Sequence, residues 1–179
     1  MPRNPSAQYN ACMTSPDSDA ILLHSATPET TAAVAERLAA CCPDAAVVYL
    51  EGELGAGKSV FARAFLKALG VSGSIKSPTY TLIETYALQD GRDAVHMDLY
   101  RIADPDELDY LALDAVLERL RVMLVEWPQR GAARLPAADV IVALAFAGNG
   151  REMQMRAITP RGVTWLRAFG QSPSADAAV

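Results

Sequence analysis

Gly52-Glu53-Leu54-Gly55-Ala56-Gly57-Lys58-Ser59 has the spacing G-x-x-x-x-G-K-[ST]. In such a segment the glycines let successive backbone N–H groups turn inward around phosphate oxygens. The helix that starts near the lysine turns its positive dipole end toward the same anion. Lys58 would then reach the β- and γ-phosphates of a nucleoside triphosphate, and the Ser59 hydroxyl would take one position on Mg²⁺. The flanks fit this reading. Val47-Val48-Tyr49-Leu50 is a β-branched and aromatic run of the kind a buried parallel strand uses. After the loop, Phe61, Phe65, Leu66 and Leu69 recur at helical spacing, and Gly70 follows as a stop.

Working outward, the segment before this unit predicts a strand over Ile21–Leu23 and a helix from Pro28 to Cys41. Thr27 is its N-cap, and proline fills the first helical position. After the unit, the runs 80–88 and 94–102 are separated by Gln89-Asp90-Gly91-Arg92-Asp93, a polar Asp-Gly spacer that marks a hairpin. Asp104-Pro105-Asp106-Glu107 resembles a capping box. It predicts one amphipathic helix with Leu108, Leu111, Ala115, Val116 and Leu120 on a single side. Val122–Val125 is the next buried strand. The runs 140–146 and 152–158 flank Gly148-Asn149-Gly150 as a second hairpin, and 163–169 reads as a closing helix. Helices alternating with apolar strands around a phosphate loop predict an α/β protein, a P-loop NTPase-like three-layer sandwich. Its central sheet is mixed and mainly parallel, because the hairpins add antiparallel strands.

With 179 residues, 51% of them hydrophobic, the chain reads as one domain over 19–170. Polar tails are expected at 1–18 and 171–179. A net charge of −5 argues against gripping nucleic acid over the whole surface, so DNA is not an expected partner. Arg151, Arg156, Arg161 and Arg167 form either a local basic patch or scattered solvated charges. The three cysteines form no C-x-x-C pair, and the adjacent Cys41 and Cys42 read as packing residues, which fits a reducing, cytoplasmic setting. No signal-peptide arrangement and no run of membrane-spanning length is present, so no membrane partner is expected.

Three further clusters carry chemistry. Glu126 ends the run 122–125 and precedes Trp127 and Pro128. Carboxyl ends of strands face the ligand crevice in such sheets, so Glu126 stands where a Walker B acid stands, or is a surface acid at a strand end. In His96-Met97-Asp98-Leu99-Tyr100-Arg101, alternation puts His96, Asp98 and Tyr100 on one strand face. Asp98 is a candidate for positioning the attacking water, and His96 reads as a hydrogen-bonded structural residue. Arg101 either neutralises phosphoryl charge or pairs with Asp104 or Asp106. Ser77-Pro78-Thr79-Tyr80 follows the loop helix, either as a nucleotide-sensing segment through Thr79 or as a turn before a strand; Lys76 is a less certain member of the same loop.

Taken in order, Gly-Glu-Leu-Gly-Ala-Gly-Lys-Ser, Ser-Pro-Thr-Tyr, His-x-Asp-Leu-Tyr-Arg and Glu-Trp-Pro resemble the TsaE (YjeE) family of bacterial P-loop ATPases, over about 20–169. The resemblance implies an ATPase needed to make threonylcarbamoyladenosine at tRNA position 37, with ATP and Mg²⁺ as its ligands. It also implies a TsaD–TsaB heterodimer as partner, with tRNA met indirectly through that complex, and an ATP cycle that resets the complex between turnovers. By motif match, Ser59 and Glu126 would hold Mg²⁺, and Glu53, Leu54, Gly55, Ala56, Gly57, Lys58 and Ser59 would wrap the phosphates. Thr79, Asp98 and Trp127 would line the active centre, with Lys58, Asp98 and Glu126 as the catalytic set. Arg151, from Gly150-Arg151-Glu152, would reach the nucleotide, and the region of Thr27 and Thr30 would neighbour the base or ribose. Ser59 replaces the commoner threonine.

Two alternatives stay open at this point. A small-molecule kinase also pairs a phosphate loop with strand-end acids, although no arginine-rich lid insertion is visible. A nucleotide-gated assembly factor would need binding and not hydrolysis. No Asn/Thr-Lys-x-Asp motif for guanine follows the loop.

Overall fold

The computed structural model describes residues 20–172; the expected N-terminal tail and residues 173–179 lie outside them. The chain runs through β1 (Ala20–Ser25), α1 (Pro28–Ala40), β2 (Ala46–Glu51) and α2 (Lys58–Ala68). Next come β3 (Ile83–Ala87), β4 (Asp93–Asp98), a 3₁₀ segment (Pro105–Leu111) and the short α3 (Leu113–Leu117). Then follow β5 (Leu120–Glu126), β6 (Val140–Ala147), β7 (Gly150–Ala157) and α4 (Pro160–Gln171).

The strands form one seven-stranded sheet in the order β1-β7-β6-β2-β5-β4-β3. Its centre, β6-β2-β5-β4, is parallel, and hairpins add β7 and β3 antiparallel, with β1 antiparallel on β7. Parallel strands covered on both faces need continuous apolar runs. β2 and β5 supply them: Val47, Val48 and Leu50 are buried, as are Val122 through Val125.

One face of the sheet is covered by α1, α2 and α4, whose Val34, Leu38, Phe61, Phe65, Leu66, Trp165 and Phe169 join a single apolar cluster. Trp165 is buried there because its Nε1–H has a partner, the Leu38 carbonyl at 3.0 Å. The start of α1 is fixed as the sequence indicates. Thr27 and Thr30 form a reciprocal capping box, with Pro28 in the first turn. The opposite face packs Val95, Met97, Leu99, Met123 and Val125 under a thinner layer that includes Ile102, Leu108 and Leu135.

That thinner layer departs from expectation. The long amphipathic helix after Asp104 does not form. Asp104 does cap a helical start with Glu107, but the first segment is 3₁₀ and stops where Ala112 takes φ 46°, in the left-handed region. Only the five residues of α3 resume as α-helix, and Leu120 belongs to β5. The pattern of apolar spacing was met by two short pieces in place of one helix. Both hairpin strands near the site are also shorter than their apolar runs. Tyr80 and Thr81 lie in a turn closed by Leu82 N–H on the Pro78 carbonyl, with Leu82 at φ 63°, so β3 starts only at Ile83. β4 ends at Asp98, and Tyr100 therefore leaves the strand face expected for it. Among the described residues no helix is long and apolar enough to cross a membrane.

Candidate functional site

β2 delivers the chain to the carboxyl edge of the parallel strands, where the segment from Gly52 to Gly57 turns back into α2. Gly52 has φ 138°, and a Cβ there would stand 2.2 Å from the Leu144 carbonyl oxygen of β6. Only glycine lets the backbone pass this close. Gly57, at φ 111°, occupies the N-cap of α2 and makes no side-chain cap. The first-turn N–H groups are thus left for an anion, with the helix dipole behind them.

Lys58 Nζ donates to the Gly52 and Glu53 carbonyls, both at 2.8 Å, and lies 4.1 Å from the centre of the Trp127 ring. Burial lowers its pKa from the ordinary lysine value, and the nearby Glu126 and Asp98 act the other way. The side chain is a cation held in a low-dielectric niche, with loop carbonyls as its partners.

Two carboxylates end adjacent strands. Asp98 closes β4, Glu126 closes β5, and the parallel register sets them side by side. Both are buried, 5% and 2% exposed, which demands partners. Glu126 Oε2 accepts from Ser59 Oγ at 3.0 Å, and its Oε1 lies 2.9 Å from His96 Nε2. Asp98 Oδ2 accepts from Thr79 Oγ1 at 3.0 Å, and Oδ1 from the Tyr100 N–H at 3.1 Å. Trp127 follows at φ 58°, rare for so bulky a side chain. The turn it makes puts its indole over Lys58 and 5.1 Å from the Tyr100 ring.

These groups enclose a cavity of about 240 Å³. Of the residues expected from sequence, Leu54, Gly55, Gly57, Lys58 and Ser59 line it from the loop side, and Thr79, Asp98, Glu126 and Trp127 from the strand side. A second cavity, about 190 Å³, lies across the loop between the start of α1 and the β6–β7 hairpin. Ala56 and Arg151 line this second space, as do Thr27 and Asn149. Glu53 lines neither and contributes its carbonyl to Lys58. Thr30 is also apart, its hydroxyl held by Ser25 and the Thr27 carbonyl.

Other expected contacts resolve differently. Arg101 lies 4.5 Å over the Tyr80 ring outside the cavity, and Asp106 pairs with Arg134 instead. Arg151 bends back on the loop, donating from Nε to the Ala56 carbonyl at 3.1 Å and from Nη2 to the Gly55 carbonyl at 3.3 Å, while stacking on Phe146 at 4.2 Å. Of the other C-terminal arginines, Arg161 is held by the buried Asp139 at 2.7 Å. Tyr100 in the cavity wall and Phe146 beneath Arg151 were not expected. Tyr100 sits within a motif visible in sequence, whereas nothing local marks Phe146.

Hydroxyl and carboxylate oxygens dominate the cavity's donors, the hard set that suits Mg²⁺. Among the described residues no three His, Cys, Asp or Glu side chains converge to hold a metal by themselves.

A sheet with a parallel centre that brings a glycine loop and a helix start to its carboxyl edge is the architecture of the P-loop NTPase-like sandwiches, and the fold places the protein in that class. Within the class, the family model described as "Threonylcarbamoyl adenosine biosynthesis protein TsaE" matches residues 25–155, and the chain belongs to the TsaE family. It is 39% identical over 125 residues to the tRNA threonylcarbamoyladenosine biosynthesis protein TsaE of Haemophilus influenzae, covering 70% of this chain and 78% of that one. The protein of the same name from Bacillus subtilis is 38% identical over 136 residues, covering 75% and 84%. Among solved structures, Bacillus subtilis YdiB superposes with a TM-score of 0.72 at 30% identity, over 85% of this chain and 95% of that one.

Proposed function

We propose that this chain is a Mg²⁺-dependent ATPase of tRNA threonylcarbamoyladenosine biosynthesis, working in the cytoplasm on a TsaD–TsaB complex and meeting tRNA only through it. The observation that carries the reading is the convergence of Lys58, Ser59, Asp98 and Glu126 on one cavity at the mouth of the loop. Family membership supplies the pathway.

In this reading the triphosphate lies along the loop. Its phosphates meet the uncapped start of α2 and Lys58, whose ammonium exchanges two loop carbonyls for phosphate oxygens. Ser59 and Glu126, already 3.0 Å apart, would hold Mg²⁺, which when bound neutralises charge on the terminal phosphates. With Glu126 and Ser59 taken up by the cation in this reading, Asp98, oriented by Thr79 and the Tyr100 N–H, is the carboxylate assigned to order the attacking water. Thr79, bonded to Asp98 from the segment after α2, couples that segment to the presence of the γ-phosphate. Trp127 and Tyr100 wall the cavity and exclude bulk water, which strengthens each electrostatic contact inside. The nucleoside belongs in the second cavity, past Gly55 and Gly57, between Thr27 and the hairpin residues Asn149 and Arg151.

Among the described residues no arginine lines the first cavity. Hydrolysis by the isolated chain is therefore slow, and a charge supplied by a partner would raise it by about 10³–10⁵. The test is ATP hydrolysis by wild type and Lys58→Ala, each alone and with TsaD–TsaB plus tRNA. Stimulation by the complex that disappears in Lys58→Ala supports the proposal; equal turnover with and without the complex removes the partner from it.

A further inference from the structure

Among the described residues, His96 is the buried polar group bonded to the cavity wall, through Glu126, that this mechanism leaves without a task. It sits on β4 at 0% exposure, between Val95 and Met97, which pack into the apolar layer on the other face. Parallel register sets Asp98, not His96, opposite Glu126; His96 is level with Leu124. The imidazole therefore reaches forward along the strands by two residues to meet the carboxylate at 2.9 Å. An ionised Glu126 can only accept, so Nε2 carries the hydrogen of this bond. The other ring nitrogen, Nδ1, is buried and has no hydrogen-bond partner among the described residues. Among the described residues the desolvation of the imidazole is offset by a single polar contact, and that contact is Glu126.

A glutamate side chain has three rotatable bonds, and at a strand end little else fixes its plane. With Oε1 on His96 and Oε2 on Ser59, both oxygens are assigned and the carboxylate has one orientation. We propose that His96 is a positioning residue for metal binding: it holds Glu126 so that Oε2 faces Ser59 and the cation. This rests on the reading above that Ser59 and Glu126 hold Mg²⁺. Outer partners of ligating groups act in this way generally, and their loss costs about 10–100-fold in metal affinity.

The experiment compares His96→Gln, His96→Asn and His96→Leu with wild type in the full-length protein. Glutamine carries an amide N–H₂ at about the reach of Nε2, asparagine is one bond shorter, and leucine has no donor. Two equilibrium quantities are read with a fluorescent ATP analogue: affinity in EDTA, and the Mg²⁺ concentration that gives half of the Mg²⁺-induced tightening. Thermal unfolding without nucleotide or metal confirms folding. The expected result is EDTA affinity within about twofold throughout, with the Mg²⁺ requirement raised about 10–100-fold in His96→Leu, nearly as much in His96→Asn, and mostly recovered in His96→Gln. Should the leucine variant fail to fold, the glutamine and asparagine pair decides by the same ordering. An unchanged Mg²⁺ requirement in the folded variants overturns the proposal, as does a requirement raised equally in all three. Failure of the underlying reading looks different: wild type itself would bind the analogue with no Mg²⁺ dependence.

Discussion

Gly52→Ala is the substitution whose effect the structure specifies most closely. The added Cβ would stand 2.2 Å from the Leu144 carbonyl oxygen, and real Cβ contacts stop at 3.0 Å, so the junction of β2 and the loop must move by at least about 0.8 Å. The obstacle is backbone in β6, hydrogen-bonded to β7, and it cannot rotate aside as a side chain would. Overpacking of this sort costs roughly 1–3 kcal/mol, and holding alanine in a backbone region that only glycine visits freely adds about 1–3 kcal/mol. A loss of about 2–6 kcal/mol is a large share of the roughly 5–15 kcal/mol that holds a domain together. For a chain of this size it lowers Tm by about 4–24 °C. Gly70→Ala is the control. Its φ is 93°, but nothing stands within 4 Å of the added Cβ, so only the backbone component of about 1–3 kcal/mol applies. Urea unfolding and thermal melts of both variants separate the clash from the strain. Because the displaced junction carries the loop whose backbone N–H groups and Lys58 meet the phosphates, nucleotide affinity in Gly52→Ala falls as well, by tenfold or more for about 1.4 kcal/mol. A Gly52→Ala protein that melts no lower than Gly70→Ala would refute this account of the loop.

Asp98→Ala keeps ATP affinity within a few-fold of wild type while single-turnover hydrolysis drops about 10²–10⁴-fold; an unaltered rate removes Asp98 from the chemistry. Arg151→Ala frees two loop carbonyls and unstacks Phe146, a loss of about 1–2 kcal/mol that appears as roughly 5–30-fold weaker nucleotide binding in equilibrium titration. Unchanged binding would show that the loop does not need this brace. Asp139 supplies a pH dependence. Burial works against its charge, but hydrogen bonds from Arg161, Thr159 and the Val47 N–H outweigh that and hold its pKa below the ordinary value. A carboxyl with a depressed folded pKa stabilises fully above its unfolded value, about pH 4, and loses that contribution as pH falls through the folded pKa. Melts between pH 3 and 6 should show a steep loss of Tm at the acid end that is flatter in Asp139→Asn; identical slopes would count against it.

How far these features could be read from sequence depended on how local their causes are. The phosphate loop, the Thr27–Pro28 helix start and the β6–β7 hairpin are each specified by residues within one or two turns of chain, and each appeared where expected. The segment after Asp104 misled because apolar spacing fits equally one helix or two short pieces joined by a left-handed residue. Ala112 at φ 46° carries no signal for that break. Site geometry was legible at Glu126, read at a strand end, whereas Asp98 was read inside a run continuing to residue 102 and in the structure ends its strand. Asp98 and Glu126 stand at the last positions of adjacent strands, but their adjacency depends on the order β2-β5-β4, which periodicity does not fix. Contacts that cross the sheet were out of reach. His96 reaching Glu126 across strands, and Arg151 bracing the loop from β7 over Phe146, depend on register and rotamer and not on spacing.

In the proposed function ATP lies along the loop with its phosphates on Lys58. Calorimetric titration of Mg²⁺–ATP into wild type and Lys58→Ala, with thermal melts to confirm that both are folded, tests it most directly. Saturable binding by wild type is expected, with affinity reduced at least tenfold in Lys58→Ala. Equal affinity in the two folded proteins, or no binding by wild type, would contradict it.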